Sequence, residues 1–389
     1  MIIKEVSAKA IKDSRGGKTI FVSIKTNAGS FSASAPTGNS TGKYEAKPYK
    51  KSLNEDIQTV EQFKDYFSQE HLDKFDDLRR IEDIISKSVG ANTIISLEFA
   101  ALKAIAKEQK KQVWQIINPN AKKIPRLVGN CIGGGKHAEE VNGKKPDFQE
   151  FLLIPEPNSA IQFFEIAKNA KKDTEFLLKE KDKNFKSKKD DEDAWMTSLD
   201  DKNVLEVLSK LNIPLGLDVA ASSFYKRKKY HYENPKLDRN SEEQIGYLSN
   251  LIKNFNLFYV EDAFSEEDFE SFAKLLEKFP EVLIVGDDLI VTNVKRLEKA
   301  IKMKSVNAII IKPNQNGSLV DLKEVVELAK ANNIKTIFSH RGEETDENIL
   351  ADLAFGFEAD FIKCGITGKE RISKINRLIE IEKSLKLSH

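Results

Sequence analysis

Apolar and polar positions alternate along the first forty residues, and the period then changes twice. In residues 19–26, Ile20, Val22 and Ile24 recur at every second position. The turn formers Asn27 and Gly29 separate this run from residues 30–38, so an antiparallel hairpin is predicted. Around residues 76–88 the spacing of Leu78, Ile81, Ile84 and Ile85 puts one apolar stripe on a helix. Asn92 reads as the N-cap of the apolar helix that follows, running to about Gln109. Strands followed by segregated helices predict an α+β unit over residues 1–125. Pro119 and Pro125 mark the linker to a second unit, residues 126–389.

Beyond residue 200 short β-rich runs alternate with amphipathic helices. The runs are PLGLDV (214–219), LFYVED (257–262), LIVGDD (283–288), AIIIKP (308–313), KTIFSH (335–340) and DFIKCG (360–365). Each ends in a reactive group: Asp218, Glu261, Asp287, Lys312, His340 and Lys363, spaced by 43, 26, 25, 28 and 23 residues. Those intervals are close to one βα unit, so parallel strands wrapped by helices are expected. An open doubly wound sheet and a closed barrel both satisfy the rhythm. Six consecutive strands ending in functional groups favour the barrel, whose strand ends converge on one face.

Composition narrows the class. Lys+Arg 62 against Asp+Glu 61 leaves a formal charge of +1, without the basic excess of a dedicated nucleic-acid binder. The two cysteines, Cys131 and Cys364, form no disulfide framework and have no zinc-ligand spacing. No apolar run approaches the roughly 20 residues of a membrane helix, and the N-terminus lacks a secretory layout. A soluble cytoplasmic protein without nucleic-acid or membrane partners is expected. The mixed-charge run 179–193 reads, by composition, as a solvated loop or helix face. GGGKH at 133–137 lacks the strand and helix context of a phosphate cradle.

Three carboxylates at neighbouring strand ends repel one another unless a cation neutralises them. Asp218, Glu261 and Asp287 therefore suit a hard divalent ion with oxygen ligands, with Mg²⁺ the default. Taken singly, each could equally be an exposed strand-end acid or a partner for a barrel lysine. Lys312 follows an apolar strand, and both burial and a nearby metal ion should lower its pKa toward that of a general base. Lys363 ends its strand in the same way, which suggests one lysine as base and one as anion clamp. His340-Arg341 adds a planar donor suited to phosphate or carboxylate. His71, His231 and His389 have no such setting and read as surface residues. These parts describe removal of a proton next to a carboxylate, with electrostatic stabilisation of the resulting dianion.

Motifs across nearly the whole chain resemble the enolase family: KDSRGGKT (12–19), APTGNSTGKYEA (35–46), GGGKHA (133–138), FQEFLLIP (148–155), LDVAASSFY (217–225), YVEDAF (259–264), VGDDLIVTN (285–293), IIKPNQNGSL (310–319), SHRGEETDENILADL (339–353) and IKCGITGKERISKINRLIEIE (362–382). The resemblance implies an enolase-type modified (β/α)8 barrel preceded by an N-terminal α+β capping domain, usually in a homodimer. It implies a hydro-lyase acting on a small phosphorylated hydroxy acid, 2-phosphoglycerate, to give phosphoenolpyruvate. Two Mg²⁺ ions per site are implied, the first on Asp218, Glu261 and Asp287, the second arriving with substrate and helped by Ser40. Lys312 would take the C2 proton, and Glu192, assisted by Glu150, would protonate the departing C3 hydroxyl. Lys363 would contact the carboxylate, Arg341 and His137 the phosphate, while Gln149 and His340 line the pocket. The same likeness turns the end of the charged run into the family's acid loop.

The chain departs from the family pattern in places. The acid loop Asp-Glu-Gly-Gly-aromatic-Ala-Pro becomes Asp191 to Thr197, without its two glycines and its proline. After His340-Arg341 the usual Ser-Gly-Glu-Thr becomes Gly342-Glu343-Glu344-Thr345. Gly133 replaces an asparagine, Ser223 a glutamate, and KPYKK follows Tyr44-Glu45-Ala46 in altered form. Two other readings follow from these edits: a related lyase for another phosphorylated or phosphonylated hydroxy acid, and a catalytically weak relative with a binding or scaffold role.

Overall fold

The alternation of the first residues resolves into three antiparallel strands, β1 (Ile3–Lys12), β2 (Lys18–Thr26) and β3 (Gly29–Ser34), in the order β1-β2-β3. Ile20, Val22 and Ile24 are all fully buried, as the period-two pattern requires. The computed structural model describes residues 1–38, 42–157 and 159–386.

The helical stretch that follows differs from the sequence expectation in two places. Residues 76–88 form a 3₁₀ turn, Phe75–Leu78, continued by a short helix, Arg79–Ile85, that buries Leu78, Ile81 and Ile85. The long apolar helix is Ala91–Glu108, and its N-cap is Gly90 rather than Asn92. A Cβ on Gly90 would lie 2.3 Å from Tyr49 Cα, so the cap position is closed to any larger residue. Asn92, the second residue of the helix, is wholly buried and ties the first unit to the second: its amide donates to Thr37 Oγ1 (3.2 Å), and its oxygen accepts from Asn314 (3.0 Å).

The second part is a closed barrel of eight strands. To the six strands read from the rhythm it adds β4 (Arg126–Gly133) and β5 (Glu150–Leu153). These are followed by β6 (Leu215–Asp218) and a small antiparallel sheet of β7 (Tyr225–Lys226), β8 (Lys229–Glu233) and β9 (Lys236–Arg239). Then come β10 (Tyr259–Glu261), β11 (Leu283–Gly286), β12 (Ala308–Ile311), β13 (Lys335–Ser339) and β14 (Phe361–Gly365). The order around the barrel is β10-β11-β12-β13-β14-β4-β5-β6. β5 runs antiparallel to both neighbours, β4 and β6, whereas the remaining barrel pairs are parallel. A reversed strand presents its first residue, Glu150, at the rim where its neighbours present their last; Glu150 pairs with Asp218.

Alternate strand residues divide the barrel's core. Val128, Leu152, Tyr259, Val285, Ala308, Ile310 and Ile337 belong to one cluster, while Ile309, Ile311 and Phe338 join the larger layer between strands and helices. β12 reads AIII without alternation because both of its faces are covered.

The charged run 179–193 is only partly a solvated face. It ends the helix Ala160–Lys181 and continues as a loop in which the lysines at 183, 186, 188 and 189 are exposed but Asp182 and Glu192 are buried. Asp182 accepts from Thr197 Oγ1 (2.6 Å), Ser198 N (2.8 Å) and Ser198 Oγ (2.7 Å). The long lysine stems carry their charge to water, whereas the short acids turn inward to backbone and hydroxyl donors. Among the described residues, no helix is long and apolar enough to cross a membrane.

Candidate active site

Parallel register sets the spacing of the acidic groups. Glu261 pairs with Asp218 across β10 and β6, and Asp287 is the first residue beyond β11. Lys363, in β14, reaches across the mouth into this group. Its ammonium lies 3.0 Å from Asp218 Oδ2, 2.8 Å from Glu261 Oε2 and 3.2 Å from Glu150 Oε2, with all four side chains buried. Burial opposes its charge, but Asp218, Glu150 and Glu261 outweigh that and hold its pKa well above the usual lysine value. Glu261 is pushed up to about 8 by burial and by Asp218's charge, with Lys363 opposing. Lys363 is thus held by three acids.

Lys312 is the first residue beyond β12 and pairs with Asp287. The expected fall in its pKa is not what the structure gives. Burial does act downward, but Asp287's carboxylate overrides it and raises the value. Asp287 is held below its ordinary range, since the charge and hydrogen bond of Lys312 overcome its burial. Its other oxygen accepts from Gln315 Nε2 at 3.0 Å.

The donor set fits a hard cation. Asp218, Asp287 and Gln149 line a cavity of about 150 Å³. Gln149 donates to Asp218 Oδ2 (3.4 Å), while its own oxygen is buried without a hydrogen bond. An unmet amide oxygen beside carboxylates is oxygen chemistry of the kind Mg²⁺ takes. A second acidic group, Asp262, Asp287 and Asp288, also converges within 4.8 Å. Asp262 is already committed there, its two oxygens accepting from Asp287 N (3.0 Å) and Asp288 N (2.8 Å).

Glu192 and its neighbours make the other half of the site. Glu192 is 2% exposed although it sits on a loop. Its carboxylate lies 3.6 Å from His137 Nδ1 and 3.5 Å from His340 Nε2, and it accepts from Asn130 Nδ2 at 3.2 Å. His137 Nδ1 is also 3.7 Å from Glu150, which links the two acids. Their environments separate them. Burial and the charges of Glu192, Asp218 and Glu261 push Glu150 well above the carboxylate range against Lys363. Burial acts the same way on Glu192, but His340, His137, Arg371 and Lys363 together take it below its usual value. Burial also lowers both histidines, His340 to about 3, while the charge of Glu192 acts upward on each.

Arg341 is buried and faces an acid rather than open space. Its guanidinium donates to both oxygens of Glu45 (2.9 and 3.3 Å) and to Asn314 Oδ1 (3.1 Å). The loop bearing Glu45 approaches closely: a Cβ on Gly38 would fall 1.7 Å from Arg341 Nη2, so only glycine fits. Ser40, from the same loop, lies outside the described residues. Every other residue named from the sequence, Asp218, Glu261, Asp287, Lys312, Lys363, Glu150, Glu192, His137, Gln149, His340 and Arg341, belongs to this one charged array at the barrel mouth.

Sequence reasoning gave no role to several residues that complete the array. Arg371, 2% exposed, donates to Gly342 O (2.7 Å) and to Ser14 Oγ (3.3 Å). Arg15 forms an ion pair with Asp191 and lies 3.7 Å from Glu343. Both arginines fall inside motifs quoted above, so the motif match was their only signal. Glu45, Asn130 and Gln315 likewise act through contacts that no spacing rule announces.

Comparison with known proteins agrees with this geometry. The family model described as "Enolase, N-terminal domain" matches residues 3–117, and "Enolase, C-terminal TIM barrel domain" matches residues 121–388. The enolase of Methanosphaera stadtmanae is 36% identical over 99% of this chain and 97% of its own. That of Archaeoglobus fulgidus is 36% identical over 98% and 97%, and that of Methanothermobacter thermautotrophicus 35% identical over 100% and 98%. With both domains matched end to end, the chain belongs to the enolase family of lyases.

Proposed function

We propose that this protein catalyses the Mg²⁺-dependent, reversible dehydration of 2-phosphoglycerate to phosphoenolpyruvate. One observation carries the reading: titratable groups converge on the barrel mouth, with Lys312 paired to Asp287, Lys363 held by Asp218, Glu261 and Glu150, and His137 between Glu150 and Glu192. The mouth holds a lysine at one end and a pair of acids with separated pKa values at the other, as proton removal and hydroxyl departure on adjacent carbons require.

Lys312 Nζ takes the proton from C2, and the electron pair moves into the adjacent carboxylate. Mg²⁺ bound by Asp218, Glu261, Asp287 and, for a second ion, Ser40 would supply positive charge to that carboxylate and relieve Lys312 of Asp287's pull. The electron pair then returns to form the C2–C3 double bond as the C3 hydroxyl leaves with a proton. That proton starts on Glu150, whose surroundings push it well above the carboxylate range, and passes by way of His137 to Glu192, which delivers it to the hydroxyl. Arg341 and His137 hold the phosphate once Glu45 releases the guanidinium, Lys363 meets the substrate carboxylate, and Gln149 and His340 close the pocket wall.

Purified protein with 2-phosphoglycerate and Mg²⁺ should develop the ultraviolet absorbance of the enol product, and EDTA should abolish it. Absence of signal at high enzyme concentration would overturn the proposal. Gly342 and Glu343, directly after His340-Arg341, favour a second reading, a related lyase for a different phosphorylated or phosphonylated hydroxy acid. Turnover of such an acid in preference to 2-phosphoglycerate would select it.

A further inference from the structure

Glu192 is carried by a loop without the two glycines that the family resemblance implies, yet it is as buried as Asp218 and Glu150 on their strands. Asp193, the next residue, keeps a left-handed backbone (φ +66°), which aspartate tolerates better than most residues. Its side chain then does something a glycine cannot. Lys189 Nζ lies 3.0 Å from both carboxylate oxygens. Lys171 Nζ reaches Asp193 Oδ2 at 3.3 Å and also donates to the Asp193 carbonyl and to Thr367 Oγ1, while Thr367 donates to the carboxylate.

Lys171 is 3% exposed, and burying an ammonium is costly unless its donors are all used. All three of its protons have an acceptor in this knot. The knot is anchored on both sides. Trp195 Nε1 donates to Lys171 O (2.9 Å), and Trp195 N donates to Cys131 O of β4 (2.9 Å). Upstream, Asp190 Oδ1 accepts from Glu192 N (2.9 Å) and Ala194 N (2.8 Å), with its other oxygen in the space that a Cβ on Gly133 would take.

We infer that Lys171, Lys189 and Thr367 lock Asp193, and that this ion-pair lock fixes the position of Glu192 where flexible glycines would leave the acid loop free. Lys171 and Asp193 are positioning residues, acting through Glu192 without touching substrate. The inference rests on the proposed role of Glu192 as the acid.

Asp193→Gly tests it, because glycine accepts the same φ while the carboxylate is lost. Asp193→Asn keeps an oxygen for Lys171 or Lys189. Asp193→Gly is expected to lower kcat by on the order of tenfold to a hundredfold with KM for 2-phosphoglycerate nearly unchanged, and Asp193→Asn to recover most of it. In a Trp114→Phe background Trp195 is the sole indole, and Asp193→Gly should make it more accessible to acrylamide while Asp193→Asn does not. Lys171→Met gives a second route to the same two readouts. Unchanged quenching in both Asp193→Gly and Lys171→Met overturns the lock; increased quenching with parental kcat overturns its positioning role. If the parent protein shows no turnover, the functional reading fails and the quenching arm alone still decides the lock.

Discussion

The two halves of the site hold their reactive groups by different means. Asp218, Glu261, Asp287, Lys312 and Lys363 stand in or next to barrel strands whose paired backbones fix each Cα, so a change in one side chain leaves its neighbours in place. Glu192 stands on a loop whose position depends on Arg15 with Asp191, Lys171 with Asp193, and Asp190 with two amides. Rigid ladders preserve position through the backbone; a loop must preserve it through side chains. That difference is why the loop-borne half depends on so many ion pairs and side-chain hydrogen bonds to hold one acid.

The strand half can be broken most severely at its base. Lys312→Ala should lower kcat/KM by roughly 10²–10⁴ and leave the thermal transition close to the parent's, since the barrel backbone does not depend on it. Parental activity would remove Lys312 from the mechanism. A second cut in the same half should act on stability. Lys363→Met leaves Asp218, Glu261 and Glu150 buried without their shared ammonium, a loss of about 3–5 kcal/mol in denaturant unfolding with EDTA present. A variant as stable as the parent would mean that these acids are protonated without it.

The loop half should respond to pH. Asp190 is pushed up to about 7 by burial and by the charge of Glu192, above its unfolded value, so the folded protein binds more protons in this range. Its contribution is fully present below the unfolded pKa and is lost as pH rises through about 7. In metal-free protein the melting temperature should therefore fall from about pH 4, the unfolded value of the carboxyl, to about pH 7 and level off above it, and Asp190→Asn should flatten that fall. An equal slope in the variant would assign the dependence to the other raised carboxyls, among them Asp288, pushed up to about 7, and Glu261, pushed up to about 8.

Much of the strand half was legible because its signals are local. AIIIKP and LIVGDD each announce a buried strand and its terminal group, and their spacing announces βα units. β4 and β5 escaped that reading because β5 is reversed, running antiparallel to β4 and β6, and no βα rhythm links the pair to the others. Asn92 suits a helix start by residue type, but the cap went to Gly90, where contact with Tyr49 leaves no room for a side chain. The charged run 179–193 misled by composition, because an average over lysines and acids hides that the two point in opposite directions.

The near-neutral charge, the βα rhythm and the ordered motifs determined by themselves the barrel, the family and the identity of the residues at the strand ends. Only the tertiary structure decided their states: that Lys312 is held charged by Asp287, that Lys363 is enclosed by three acids, that Arg341 faces Glu45, and that Glu192 and Glu150 are driven apart in pKa. The reason is physical. Which residue ends a strand is set by neighbours in the chain, whereas the proton and the partner of a buried charge are set by groups tens or hundreds of residues away.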